Sequence, residues 1–203
     1  MERTLKELKK NIKVVGLTGA IGSGKTVVTD ALKNAGFYVI DADEVSREVV
    51  SDSEIVSLFP AAAKNGKLDR KALRAIIGSD DAERKRLNEF THPKIVAEIT
   101  RRVKSANKNS RTVLTAPLLF ETGLSSLCDC IVCVYAPREL RISRITARDG
   151  VSRQDASGIA DAQMSDTYRA TLSDFCISSD RPKEEFVAEA VNLFDKIFDP
   201  SKR

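Results

Sequence analysis

The chain has a single histidine, four cysteines and no tryptophan. It also has no apolar run near the roughly 20 residues needed to cross a bilayer. Its longest apolar stretches, Val113–Leu114 with Ala116–Phe120 and Ile131–Ala136, are sized for a protein core, so no membrane span is expected. Four cysteines are too few for a disulfide scaffold. Cys128, Cys130 and Cys133 crowd one stretch with neither a second paired cluster nor a nearby histidine. They read as buried thiols of a reducing compartment rather than as zinc ligands. Charge imbalance is also missing: 33 Lys+Arg face 29 Asp+Glu, a net +4 too even to indicate nucleic acid. Val14–Ile21 is too short and too broken by glycine for the apolar core of a secretory signal, so the expected location is cytoplasmic. With 42% hydrophobic and 31% charged residues, disorder and collagen-like structure are excluded. A chain of 203 residues allows one α/β domain with an insertion, or two small domains, and can bury a full core.

Short β-branched runs at Val14–Thr18, Phe37–Ile40, Thr112–Ala116, Cys130–Tyr135 and Phe175–Ser178 predict five strands. Helices are predicted over Thr26–Ala35, closed by Gly36, over Arg138–Arg148, after the Ser152–Asp155 cap, and over Pro182–Phe198. From Glu44 to Asn107 apolar residues recur at helical spacing, with Asp69 and Asp80 as N-caps and Pro93, after His92, opening a helix at N1. That stretch is too long for one crossover and reads as a helical insertion. His92 reads as a structural residue. The expected fold class is α/β, a five-stranded parallel sheet with a helical insertion.

Gly19-Ala20-Ile21-Gly22-Ser23-Gly24-Lys25-Thr26 fits G-x-x-x-x-G-K-[ST] between a predicted strand and helix. Glycines allow the backbone N–H groups to turn onto phosphate oxygens, and the helix N-terminus adds partial positive charge. Lys25 can reach the β- and γ-phosphates, and the Thr26 hydroxyl can ligate Mg²⁺. The pattern implies a nucleoside triphosphate with magnesium. No guanine-reading N-K-x-D, no strand ending in Asp-x-x-Gly and no transporter signature occurs, which leaves a kinase as the leading class.

Asp41 and Asp43 end the second predicted strand, on the sheet edge where ligands gather. Asp43 is the candidate base for an acceptor hydroxyl; Asp41 orders the turn or the magnesium waters. Either carboxylate also suits the N-cap of the following helix. Arg141, Arg144 and Arg148 share a helical face and could meet the transferred phosphoryl group when a lid closes.

Val15–Lys25, Val39–Asp43, Thr91-His92-Pro93, Ala116–Glu121 and Arg144–Asp149 together resemble the dephospho-CoA kinase family, with the motifs in the family's order from about Lys13 to Asp174. The resemblance implies ATP-dependent phosphorylation of the ribose 3′-hydroxyl of dephospho-CoA, with Asp43 as base and with Lys25 and Arg144 on the transferred phosphoryl group. The loop from Gly19 to Val27 and Arg148 would hold ATP, and Thr26 would hold Mg²⁺. Arg47, Leu118 and Leu119 would line the acceptor site, while Glu121 could instead cap a helix.

The family parts map as a P-loop kinase core over 13–43, 111–140 and 166–203, a helical CoA domain over 44–110 and a lid over 141–165. The implied partner is a small-molecule substrate, with no nucleic acid or membrane, and the chain is expected to be a monomer or weak homo-oligomer. The chain departs from the family at Ala20, at Thr26-Val27, and at Ser173-Asp174 and Ser178-Ser179-Asp180. Two alternatives stand beside this reading. One is another hydroxyl acceptor. The other is an ATP-binding module that contacts nucleic acid through Arg84-Lys85-Arg86 and Arg101-Arg102.

Overall fold

The computed structural model describes residues 4–8, 11–106 and 111–202. Arg3, Lys9, Lys10 and the expected helical end at Asn107 lie outside these residues. Val14–Thr18 forms β1, buried at every position. Continuous burial is what a strand covered on both faces by helices requires. Lys25–Asn34 follows as α1, then Tyr38–Asp41 as β2. After the inserted segment come Thr112–Thr115 (β5) and Cys130–Tyr135 (β6). Three helices follow: Arg138–Asp149 (α6), Arg153–Asp161 (α7) and Asp166–Thr171 (α8). Phe175–Ser178 (β7) and Lys183–Phe198 (α9) complete the order.

The five strands form one sheet ordered β2-β5-β1-β6-β7. β1 runs parallel to β5 and β6, and β6 parallel to β7. Val15, Leu17, Val113, Val132, Val134 and Ile177 supply the sheet side of the main core, and Val28, Leu32, Phe186, Phe194 and Ile197 the helical side. Leu8 and Ile12, from the basic N-terminal stretch, are buried in the same cluster. A smaller cluster joins α6 to α7 through Ile142, Ile145, Ala156 and Ala160, with Ile21 and Val151 packed against it.

The strands fall where alternation and β-branching place them, within one residue. The second runs Tyr38–Asp41 because Phe37 turns into the core instead, its ring edge-on to Phe194 at 6.1 Å. Gly36, at φ +80°, closes α1 and Gly150, at φ +66°, closes α6. With no Cβ, glycine adopts that region at little steric cost.

The chain divides into two compact units, Met1–Ile40 with Ala106–Arg203 and Asp41–Ser105. The second holds α2 (Ala42–Val49), α3 (Asp52–Leu58), α4 (Arg70–Ser79) and α5 (Asp81–Ser105). Its own core is Ile55, Phe59 and Ala62, with Leu58, Leu68, Leu73, Ile76 and Leu87 against them. Asp69 accepts from the Lys71 and Ala72 amides, and Asp80 from Ala82 and Glu83, so both act as N-caps.

Two expectations need correction. The inserted segment is not wholly helical: Ala63–Lys64 (β3) and Lys67–Leu68 (β4) pair antiparallel. Asn65 at φ +52° and Gly66 at φ +75° form their turn, the conformation that an Asn-Gly hairpin selects. Pro93 does not open a helix but lies inside α5. Its missing N–H leaves the carbonyl of Glu89 without a helical donor. Both residues are exposed, and Leu87 and the fully buried Ile99 hold the helix on either side of the proline.

Candidate active site

The turn after β1 is built so that little except backbone lines it. A Cβ at Gly19 would lie 2.6 Å from both the Ser23 hydroxyl and the Val134 carbonyl. At Gly22, φ +78°, a Cβ would meet the Arg141 carbonyl at 2.9 Å. Gly24, at φ +93°, is the N-cap of α1 and provides no capping side chain. Val27 and Val28 donate to the Gly24 carbonyl at 3.0 and 3.4 Å, but no side chain caps the Lys25 and Thr26 N–H groups at the start of the helix, which is the arrangement that receives an anion. The Ser23 hydroxyl is buried with no hydrogen-bond partner. A backbone cradle with unsatisfied donors fits a polyphosphate.

The Lys25 ammonium donates to Thr115 Oγ1, 3.1 Å away at the end of β5, which fixes the side chain and leaves further ammonium hydrogens for a ligand. Thr29, donating to the Lys25 carbonyl at 3.1 Å, lies 3.4 Å from the same Thr115 oxygen. Thr26 is exposed on the first turn of α1, whereas Val27 is partly buried against the main core.

The three arginines of α6 have separate fates. Arg144 donates to the Gly22 carbonyl at 3.1 Å, the Ser179 hydroxyl at 2.7 Å and the Ser179 carbonyl at 3.0 Å. Arg141 is buried, with Nε 2.9 Å from Asp166 Oδ2 and Nη1 donating to the Ile21 carbonyl at 3.4 Å. Burial pushes the Asp166 carboxyl above its ordinary range, against the pull of Arg141 and Arg169. Arg148 is exposed and pairs with Asp149 through two bonds of 2.7 Å.

Sequence reasoning missed Arg169, which is completely buried. It donates to Thr18 Oγ1 at 3.2 Å and the Pro117 carbonyl at 2.9 Å, and it pairs with Glu121 at 3.4 Å. It thereby ties the ends of β1 and β5 to α8, and Glu121 is its counter-ion. Leu119 is fully buried in the core beside Gly16, while Leu118 is 39% exposed and is the one presented outward. Gln163, Asp166 and Ser179 were also missed. The departure at Ser178-Ser179-Asp180 was the one signal that pointed to this stretch.

In the second unit, Asp41 caps α2, its Oδ1 accepting from the Asp43 amide at 2.8 Å and from Glu44 at 3.4 Å. Asp43 is then the second residue of α2, its side chain exposed, with the exposed Arg47 one turn on. Several basic residues of α5 pair with carboxylates: Arg84 with Asp81, Arg86 with Glu83, and Arg102 with Glu98 and Glu48. His92 is partly buried on the same helix. Cys130 and Cys133 are buried in β6, and Cys176 on β7 stands in register with Cys133. Burial pushes the Cys128 thiol up to about 12. Among the described residues no helix is long and apolar enough to cross a membrane, and no group of three His, Cys, Asp or Glu side chains could hold a metal ion.

The family model for dephospho-CoA kinase matches residues 13–185. A dephospho-CoA kinase from Moorella thermoacetica is 40% identical over 166 residues, 77% of this chain and 78% of that protein. One from Fusobacterium nucleatum is 33% identical over 193 residues, 92% of this chain and all of that protein. Among solved structures, a Thermus thermophilus protein superposes with a TM-score of 0.78 at 30% identity, over 91% of this chain and 96% of that one. A dephospho-CoA kinase from Campylobacter jejuni gives 0.62 at 27% identity, over 92% and 97%. A shikimate kinase from Acinetobacter baumannii, 16% identical at 0.56 over 93% and 94%, shares the fold. With the phosphate loop, the parallel sheet and these matches in agreement, the chain belongs to the dephospho-CoA kinase family.

Proposed function

We propose that the chain transfers the γ-phosphoryl group of ATP to the ribose 3′-hydroxyl of dephospho-CoA, giving coenzyme A and ADP in the last step of coenzyme A synthesis, with Asp43, Lys25 and Arg144 carrying the transfer. The observation that carries this reading is the cradle at Gly19–Thr26, where glycines stand at positions that a Cβ would fill and the start of α1 is left uncapped. Lys25 draws charge from the transferred group as the bond to ADP breaks. Arg144 has two carbonyls and a hydroxyl as present partners, all neutral, and exchanges them for phosphate oxygens on closure. The Asp43 carboxylate takes the proton of the acceptor hydroxyl as its oxygen attacks the γ-phosphorus. Arg148 and the loop through Val27 complete the ATP contacts, and Arg47 and Leu118 face the acceptor. Leu119 acts from beneath, as packing.

The Thr26 hydroxyl would hold magnesium, which when bound would supply neutralisation of phosphate charge. A hydroxyl at the start of a helix suits this ion, which keeps most of its waters. Residues 44–110 serve as the CoA domain and 141–165 as the lid. The reaction takes place in the cytoplasm on small molecules, by a monomer or weak homo-oligomer. Pairing of the α5 basic side chains with carboxylates supports the exclusion of nucleic acid.

The decisive assay couples ADP release to a panel of acceptors: dephospho-CoA, nucleosides, nucleotides and sugar acids. Release is expected with dephospho-CoA, and its absence above background overturns the proposal. Asp43→Asn is expected to lower kcat by about 10²–10⁴-fold while ATP binds as before. Near-normal turnover of that variant would place the base elsewhere.

A further inference from the structure

Gln163 lies in the bend between α7 and α8, 142 residues from the phosphate loop in sequence, yet its Oε1 accepts the Ile21 N–H at 2.8 Å. The assignment of oxygen and nitrogen is fixed here, because an amide N–H can be received only by the carbonyl end of the glutamine. We propose that Gln163 is a positioning residue for ATP, which sets the direction of the Ala20–Ile21 peptide and through it the lining that the phosphates meet. The proposal rests on the reading that ATP binds at this loop.

The geometry is cumulative. A trans peptide directs its N–H and C=O to opposite sides. With the Ile21 N–H turned to Gln163, the Ala20 carbonyl must point the other way, where it accepts the Ser23 N–H at 3.0 Å and closes a four-residue turn. The next peptide has its Ile21 carbonyl drawn toward Arg141 at 3.4 Å, so the Gly22 N–H is directed away from that arginine. The third has its Gly22 carbonyl held by Arg144 at 3.1 Å. Three successive peptides thus each have a side-chain partner, and the Ile21 side chain is packed against the α6–α7 cluster that includes Ile142 and Ala156.

Two of the three holds are made by arginine donors. Gln163 is the acceptor among them, and no arginine can replace it. Without that acceptor the first peptide is held only through the Ser23 turn, and in its reversed orientation that turn is open and the Ala20 oxygen faces elsewhere. A carbonyl dipole turned toward bound phosphates repels them, and the loop must be reordered each time ATP binds.

Gln163→Met keeps the length of the side chain and removes the acceptor. The dissociation constant for ATP, measured by calorimetry without acceptor, is expected to rise about tenfold, and KM for ATP with it. KM for dephospho-CoA is expected to stay within about twofold, and Tm within a few degrees. Gln163→Glu keeps an acceptor and is expected to recover most of the ATP affinity once salt screens its charge. Should the Met variant fail to fold, Gln163→Asn, one methylene short of Ile21, carries the same expectation.

A Met variant that binds ATP as tightly as the parent, or more tightly because Ile21 N–H now reaches phosphate, overturns the proposal. So does a fall in Tm accompanied by equal rises in both KM values, the signature of a merely structural residue. A parent chain that binds no ATP removes the underlying reading instead, which separates the two failures.

Discussion

A methyl group at position 19 would sit 2.6 Å from the Val134 carbonyl, and that oxygen belongs to β6, which pairs with β1 and β7 and cannot retreat alone. Gly19→Ala is therefore expected to cost about 1–3 kcal/mol of stability, as overpacking does, and to weaken ATP binding at least about tenfold because relief must come from the loop. Denaturant unfolding and calorimetric titration check the two effects. Ordinary ATP affinity in the variant would mean that the cradle is softer than its contacts imply. The neighbouring Ala20 is 3% exposed and at a negative φ, so its departure from the family pattern needs no such room. At this scale the sequence revealed the residues that the loop pattern requires. It placed Arg141, Arg144 and Arg148 on one helical face but not their destinations, because spacing gives direction and says nothing of partners. Arg169 was invisible for the same reason. A buried arginine and a surface arginine are written alike, and only the tertiary contacts to Thr18, Pro117 and Glu121 distinguish them.

Within the Asp41–Ser105 unit, helices are tied by carboxylates whose titration gives a measurable handle. Lys94, on α5, donates to Glu54 on α3, and with the Ser51 amide and hydroxyl it holds that carboxyl at about 2. Arg101 and Arg102 hold Glu98 at about 2 in the same way. Both folded values lie below the unfolded 4.5, so their contribution is present above about pH 4.5 and is lost as pH falls toward 2. The Glu54 side chain is 39% exposed, where screening keeps the effect small, and that of Glu98 is 18% exposed. Acid titration of helicity is expected to show stability falling through that window, and Glu54→Gln with Glu98→Gln to flatten it. An unchanged profile would show that these pairs contribute nothing to the packing.

Caps made this unit partly legible in advance, since Asp69 and Asp80 act through local backbone chemistry. The hairpin was missed because two-residue strands have no period to detect. Pro93 was misread because a local rule about proline yielded to the apolar stripe from Leu87 to Ile99, which continues across it.

At the scale of the molecule, each unit carries its own core: Phe59, Ile55 and Ala62 in one, and the sheet with α1 and α9 in the other. The chain passes between them twice, at 40–41 and at 105–106. The division was readable from the length of the helical segment. The contribution of Leu8 and Ile12 to the larger core was not, because a basic stretch hides two apolar residues four apart.

Separate cores predict separable losses. Phe59 is 4% exposed beneath the Arg86 guanidinium, 5.5 Å from its ring centroid. Phe59→Ala is expected to cost the smaller unit about 3–5 kcal/mol, the usual range for emptying an aromatic site. Under the proposed function that loss should appear as a raised KM for dephospho-CoA and an earlier unfolding step, while the dissociation constant for ATP stays within about twofold, because no atom of the phosphate cradle belongs to that core. Calorimetric melting, run beside ATP titration and acceptor kinetics, reads all three. Loss of ATP binding in step with acceptor binding would show that the two units share one cooperative stability, and the assignment of acceptor recognition to the helical unit would then need support from residues such as Arg47 instead.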